Sequence, residues 1–338
     1  MLSSFISGCA GEALSGGEWR FFQDARPCGL ILFKRNCREP EQVKALVNAY
    51  KDAIGSDNVL VLIDQEGGRV QRLAPPHWRK LPAGAAYGRM YREDADLACG
   101  AARSIFQLLA MDLRSLGVNC NCAPVLDLAA PGMADAIGDR AFGSDAAMIA
   151  ELGRAVADGL LAGGVLPVMK HLPGHGRATA DSHQVLPVVD ASLDRLAEAD
   201  FVPFRALNDL PVAMTAHILF TDIDRTGPAT TSRLLIDTII RGEIGFGGLL
   251  LSDDLGMAAL AGTPAERAAA VLTAGCDVAL HCSGRMAEMV DVAGAAGWLE
   301  GRSEQRFAAA LARRKAPEAF DVSQALEALA EVMAIGGR

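Results

Sequence analysis

The chain has no apolar run of about 20 residues, no C-x-x-C pair, no run of more than three lysines and arginines, no Pro/Gly/Ser-rich linker and no short-period repeat. Each absence closes a class of function. Without the apolar run no segment reads as a membrane span. With a net charge of −9 and no basic run longer than three residues to offset it locally, neither nucleic acid nor an anionic membrane is expected as the main partner. A small or neutral ligand remains. The eight cysteines (Cys9, Cys28, Cys37, Cys99, Cys120, Cys122, Cys276 and Cys282) are scattered, mostly within apolar segments. They read as buried free thiols of a reducing compartment rather than as a disulfide framework. Ile6-Ser7-Gly8-Cys9 has the outline of a bacterial lipidation site, but the first basic residue is Arg20 and the apolar stretch is too short for a signal-peptide core. The expectation there is a strand, and a cytoplasmic protein. With no linker to divide it, and with 51% hydrophobic and 22% charged side chains, the chain reads as a single domain over residues 1–338. That length buries a core without disulfides or metals.

What is present is one pattern repeated. Short apolar segments recur at Leu2 to Ile6, Gly29 to Phe33, Val59 to Ile63, Val118 to Ala123, Val165 to Met169, Val212 to Thr215, Gly248 to Leu251 and Asp277 to Leu280. Helical patterns lie between them. The clearest is Ala95 to Leu116, where Leu97, Ala101, Ile105, Leu108 and Leu109 fall at helical spacing and Gly117 can end the helix. Alternating strands and helices imply parallel strands joined by crossovers, and eight strands is the count of a closed (β/α)8, or TIM, barrel. Pro167 opposes this, because it lies inside the fifth strand and removes a ladder donor; a bulge would reconcile it. The stretch from Ser303 to Ile335 reads as amphipathic helix, giving a tail of about 303–338 packed on the barrel.

Only six histidines are present, and three of them, His171, His175 and His183, fall within thirteen residues. Two glycines and a proline punctuate this run, so it reads as a loop at the exit of the fifth strand, where barrels place their chemistry. The other exits carry Lys34 and Arg35, Asp64, Asp127, His217, Asp253 and Asp254, and His281. Burying so many charges without a purpose is costly, so a functional cleft is expected on this face. Side-chain alternation lets only one of Asp253 and Asp254 point into the barrel mouth, and Asp254 is free to cap the next helix. His183, two residues after Asp181, is either a proton carrier whose tautomer Asp181 fixes or part of a polar surface turn. His175 is expected to brace the glycine-containing loop, His217 and His281 to line the cleft, and His77 to lie on the surface.

Four strings carry a family resemblance. They are Ile63-Asp64-Gln65-Glu66-Gly67-Gly68-Arg69-Val70, Ile137-Gly138-Asp139-Arg140-Ala141-Phe142-Gly143, Lys170 to Gly176 with Asp181-Ser182-His183, and Leu251-Ser252-Asp253-Asp254. In order and spacing they closely resemble glycoside hydrolase family 3, from the first strand to about Ser283, and within it the single-domain bacterial β-N-acetylglucosaminidases of cell-wall recycling. The resemblance implies a retaining exo-acting hydrolase. In it Asp253, the aspartate after a serine, is the nucleophile, and His183 with Asp181 is the acid/base pair. The resemblance further implies that Asp64, Arg72, Arg140, Lys170 and His171 hold the terminal non-reducing N-acetylglucosamine. The implied substrate is a muropeptide in which that sugar is linked to anhydro-N-acetylmuramic acid. No cofactor, no metal, since the histidines lie along one loop, and a monomeric enzyme are expected. Residue chemistry agrees, since retention needs a nucleophilic carboxylate and a second group that gives and then takes a proton. Three rival readings stay open. One is phosphorolysis, since a histidine does not repel an incoming phosphate. Another is a metal-dependent hydrolase with His171, His175, His183 and Asp181 as ligands. The third is a non-catalytic sugar-binding barrel.

Overall fold

A computed structural model describes residues 1–337; Arg338, the end of the expected tail, lies outside the described residues. Eight parallel strands close a barrel: β1 Ser3–Ser7, β2 Pro27–Leu32, β3 Leu60–Ile63, β4 Cys120–Asn121, β5 Leu166–Leu172, β6 Val212–Thr215, β7 Leu249–Asp254 and β8 Val278–His281. Each strand pairs with the next in sequence, and β8 returns to β1 through Phe5–Ala279 and Ile6–Leu280. Period-two alternation sorts the side chains. Leu60 and Leu62 of β3, Leu166 and Val168 of β5, and Leu249 and Leu251 of β7 fill the barrel interior with Ile6 and Leu280. Their neighbours Val61, Ile63, Met169 and Leu250 pack under the outer helices. The largest of these helices, Ala95–Ser115, starts where the Asp94 side chain accepts the Leu97 amide at 2.9 Å, and it ends before Gly117 at φ +81°.

Two strands depart from expectation. β4 is only Cys120–Asn121, because Pro124 follows closely and has no N–H to donate. Side-chain amides extend the seam instead. Asn119 accepts the Val61 amide at 2.8 Å and donates to the Val59 carbonyl at 2.9 Å, while Asn121 bridges both backbone groups of Gln65 at 3.0 Å. Pro167 needs no bulge. The amides of Leu166 and Val168 donate toward β4, to Asn119 and Ala123, so the donor that Pro167 lacks would face β6. The β6 pairing begins only at Val168–Val212, one residue later, and the irregularity on that side falls downstream, between Met169 and Leu172.

The tail is two helices rather than one, Gly301–Ala312 and Val322–Gly336, separated by residues 313–321, where Pro317 stops helical continuation. The second packs on the Ala95–Ser115 helix. The first closes the base of the barrel, with Phe307 and Ala310 joining Leu299 in the interior cluster. Asp277, buried at the start of β8, secures it. One carboxylate oxygen accepts from Ser303 Oγ (2.8 Å) and Arg306 (2.9 Å), and the other from Arg241 (2.8 Å) and the Leu250 amide (2.9 Å). Removing the carboxylate strands two guanidinium groups and a buried amide. We therefore expect Asp277→Ala to lower unfolding stability by about 3 kcal/mol in denaturant titrations, while the fraction that remains folded keeps its turnover.

Candidate active site

At the C-terminal ends of the strands lies a cavity of about 380 Å³ whose lining includes Asp64, Glu66, Arg72, Arg140, Lys170, His171, Asp181, His183, Asp253 and Asp254. All eight residues expected at the site therefore meet in one cleft, although they come from four separate stretches of chain. Its floor is an alternating chain of charges. Lys170, whose side chain is 2% exposed, donates from Nζ to Asp64 Oδ1 (2.9 Å) and Glu66 Oε1 (2.6 Å). Arg72 holds the other oxygen of Asp64 at 3.0 Å, and Arg140 grips Glu66 through both Nε (2.8 Å) and Nη2 (2.9 Å). Burial alone would raise the Asp64 carboxyl. The Lys170 ammonium and Arg72 guanidinium more than reverse that, holding it well below the usual carboxylate range. Glu66 is lowered likewise, with Arg140 and Lys170 overriding its burial.

Local structure explains how these groups converge. Asp64 and Glu66 are two residues apart, so extended backbone puts them on one side. Gln65 faces away, where its Oε1 accepts the Arg72 and Leu73 amides at 2.8 and 3.0 Å, and this turns the returning chain so that Arg72 reaches Asp64. The turn between passes through Gly67 at φ +106°, where a Cβ would lie 2.1 Å from the Pro82 carbonyl oxygen; only glycine fits. Glu66 was missed as a site residue, although its spacing from Asp64 was the available signal.

A second layer orients the histidines. Asp127, fully buried beyond β4, accepts the His175 amide (2.7 Å) and the His171 amide (3.2 Å) on one oxygen and lies 2.7 Å from His171 Nδ1 on the other. Burial would raise Asp127, but the imidazole of His171 draws its carboxyl down to about 2. The His171 ring is thereby turned with Nε2 away from Asp127. His175 braces the loop as expected, its Nε2 lying 3.3 Å from Ser182 Oγ, and burial pushes its imidazole down to about 4. His77 is exposed, as expected.

Three expectations are corrected. His217 and His281 do not line the cleft. His217 is buried behind it with Nε2 3.0 Å from the Asp254 carbonyl, and His281 turns to Ser283 at 2.9 Å. Asp253 and Asp254 both reach the cleft, because the β7–β8 register shifts between Leu251 and Asp254 and breaks strict alternation. Nor does Asp254 cap the next helix. Thr263 does that, accepting the Glu266 amide, while Asp254 Oδ1 accepts the amides of Gly256 (2.9 Å) and Cys282 (3.1 Å).

The two aspartates are thereby distinguished. Among the described residues, the Asp253 carboxylate accepts one hydrogen bond, from the Asp254 amide to Oδ1 at 2.8 Å, and its other oxygen is uncommitted. Burial would raise it, yet the His217 and His171 imidazoles hold it below its ordinary value, so it is ionised near neutrality. Asp181 and His183 lie on the wall formed by the loop after β5. Asp181 Oδ1 is 2.8 Å from His183 Nδ1 and accepts the His183 amide at 2.9 Å, while 67% of the His183 side chain is exposed. Such a cleft offers an ionised carboxylate, an oriented imidazole open to solvent, and a charged floor able to grip vicinal hydroxyls.

Residues 20–314 match the glycosyl hydrolase family 3 N-terminal domain. A beta-hexosaminidase of Alkalilimnicola ehrlichii is 41% identical over 287 residues, 84% of this chain and 81% of that protein. One from Thiobacillus denitrificans is 41% identical over 278 residues, covering 81% and 76% of the two. The crystal structure of NagZ from Neisseria gonorrhoeae superposes with a TM-score of 0.84 at 33% identity, over 99% of this chain and 96% of that one. Matched across the whole span that builds both the barrel and its cleft, the chain belongs to glycosyl hydrolase family 3 and is a glycoside hydrolase.

Proposed function

We propose that this single-domain enzyme is a retaining exo-β-N-acetylglucosaminidase that removes terminal N-acetylglucosamine from cell-wall muropeptides, working as a cytoplasmic monomer without cofactor or metal. The observation that carries the reading is the uncommitted oxygen of Asp253 at the end of a rigid strand in a cleft walled by the Asp181–His183 pair. In this reading Asp64, Arg72, Arg140, Lys170 and His171 hold the sugar, and Glu66 keeps Arg140 and Lys170 in place. Asp253 attacks the anomeric carbon as His183 Nε2 gives a proton to the departing oxygen. His183 then takes a proton from water, which releases the sugar with its configuration retained. Asp181 accepts from Nδ1–H, which leaves Nε2 as the working nitrogen. The beta-hexosaminidase names of the relatives support the choice of sugar, and eight free thiols support a reducing compartment. No helix among the described residues is long and apolar enough to cross a membrane.

An aryl β-N-acetylglucosaminide should be cleaved in clear preference to the matching β-glucoside; the reverse order would overturn the choice of sugar. Asp253→Asn should lose most turnover yet still bind N-acetylglucosamine, because the amide keeps the shape but is a poor nucleophile. A slow fluorinated substrate should label Asp253, and mass-spectrometric mapping of the label to Asp254 would reverse the assignment. His183→Ala should cut turnover of a phenyl glycoside by about 10²–10⁴-fold while sparing glycosylation by a dinitrophenyl glycoside, whose leaving group needs little protonation. Azide should then speed release of the sugar from that variant, and equal losses on both substrates would remove His183 from the acid/base role. Each histidine of the loop has a ring nitrogen directed at a protein partner, and no group of three or more His, Cys, Asp or Glu among the described residues is arranged to hold a metal. Turnover should accordingly survive prolonged chelation, whereas loss restored by zinc would favour the metal-dependent reading. A phosphate-dependent rate with a sugar phosphate as product would favour phosphorolysis.

A further inference from the structure

The turn that carries Asp181 and His183 is sparsely packed. His183, Gln184 and Val185 are exposed. Beside it lies an open cavity of about 500 Å³ lined by Arg177, Thr179, Asp190 and Ser192. A proton donor must nonetheless be held to within about 0.5 Å of its working position, so the turn needs fixed points. One is Ser182, which is buried, accepts the Ala259 amide on its carbonyl at 3.2 Å and approaches His175 through its hydroxyl. The other precedes the turn. Arg177 Nε donates to Asp200 Oδ2 at 2.7 Å, and their side chains are 16% and 2% exposed.

Asp200 is a firm anchor. It lies on the helical stretch after β5 that also bears Leu196, Phe201 and Phe204, all buried. The loop meets it under constraint from the opposite side, since a Cβ on Gly176 would fall 1.6 Å from the Leu128 carbonyl oxygen. Residues 174–178 are thus pressed between the β4 exit and this helix, and Arg177–Asp200 is the one ion pair joining loop to helix among the described residues. Burial raises the Asp200 carboxyl and Arg177 opposes that rise, so each charge depends on the other. Neither residue lines the cleft.

We propose that Arg177 and Asp200 are positioning residues for the acid/base step, the buried ion pair anchoring the loop so that His183 meets the departing oxygen. The inference rests on the reading of His183 as acid/base. It sets apart two parts of the site: the floor that binds the sugar stands on strands, whereas the proton donor stands on a loop held by Ser182, by Asp127 and by this ion pair.

The test compares Arg177→Gln and Asp200→Asn with His183→Ala on phenyl and dinitrophenyl N-acetylglucosaminides. Each anchor variant should lower kcat on the phenyl substrate by about tenfold, with KM and inhibition by free N-acetylglucosamine unchanged. On the dinitrophenyl substrate the rate of the glycosylation burst should fall by no more than about twofold, because only the later release of the sugar calls on His183. Arg177→Lys, which keeps the charge but not the Nε geometry, should fall between and gives the same ratio if the glutamine variant fails to fold. Divergence in His183→Ala but equal losses, or none, in the anchor variants would overturn the anchor and leave the acid/base reading intact. Absence of divergence in His183→Ala would overturn the acid/base reading itself and the anchor's role with it.

Discussion

The site depends on one buried ammonium. Lys170 sits near the end of strand β5 with almost no solvent contact, and it is tolerated there because Asp64 and Glu66 both reach it and are themselves backed by Arg72 and Arg140. Three cations face two carboxylates, and each bond in the chain offsets part of the desolvation of its neighbours. Such a network tolerates few alternative arrangements, since displacing any member strands a buried charge. The floor of the cleft is therefore preorganised before a sugar arrives, and little reorganisation is left for the moment of binding.

Around that floor the two groups proposed for the chemistry are mounted differently. Asp253 ends a strand and is steadied by the next amide in the chain, which suits a nucleophile that must hold a line of attack. His183 stands on an exposed turn, tied to Asp181 and, through the loop, to Asp127 and Asp200. An imidazole that must protonate a leaving group and then accept a proton from water gains from that exposure. The glycines at 174 and 176 belong to this arrangement, because the loop passes against backbone where no side chain fits.

Charge at a strand end has a different meaning at the two ends of the barrel, and even at the upper end it does not always mean chemistry. Asp277, with Arg241 and Arg306, holds the basal helix and never meets the cleft. Arg35 spends its guanidinium on the carbonyl oxygens of Cys9 and Cys282, joining the exits of β1 and β8. His217 supports the Asp254 carbonyl from behind.

Much of this was legible in the chain alone. Short apolar runs located all eight strands, because a parallel barrel strand is buried on both faces, one against the interior and the other against helices. The dense motifs marked Asp64, Lys170, His171 and His183 because residues close in sequence at a strand exit are necessarily close in space. What the sequence could not decide depends on where distant backbone happens to run. The spacing of Glu66 from Asp64 put it on the same side, but its partners are decided by the fold, which brings Lys170 to it and folds back Arg140 from 74 positions away. Asp254 is spent on Cys282 and Asp253 is not, since a register shift between β7 and β8 breaks the alternation that sequence reasoning must assume. His217 and His281 occupy strand exits yet turn from the cleft toward the Asp254 carbonyl and Ser283, partners that only the closed barrel brings within reach. Periodicity is a local property of extended backbone and is written residue by residue; which charges neutralise one another is a property of the closed surface, and it was settled only when β8 met β1.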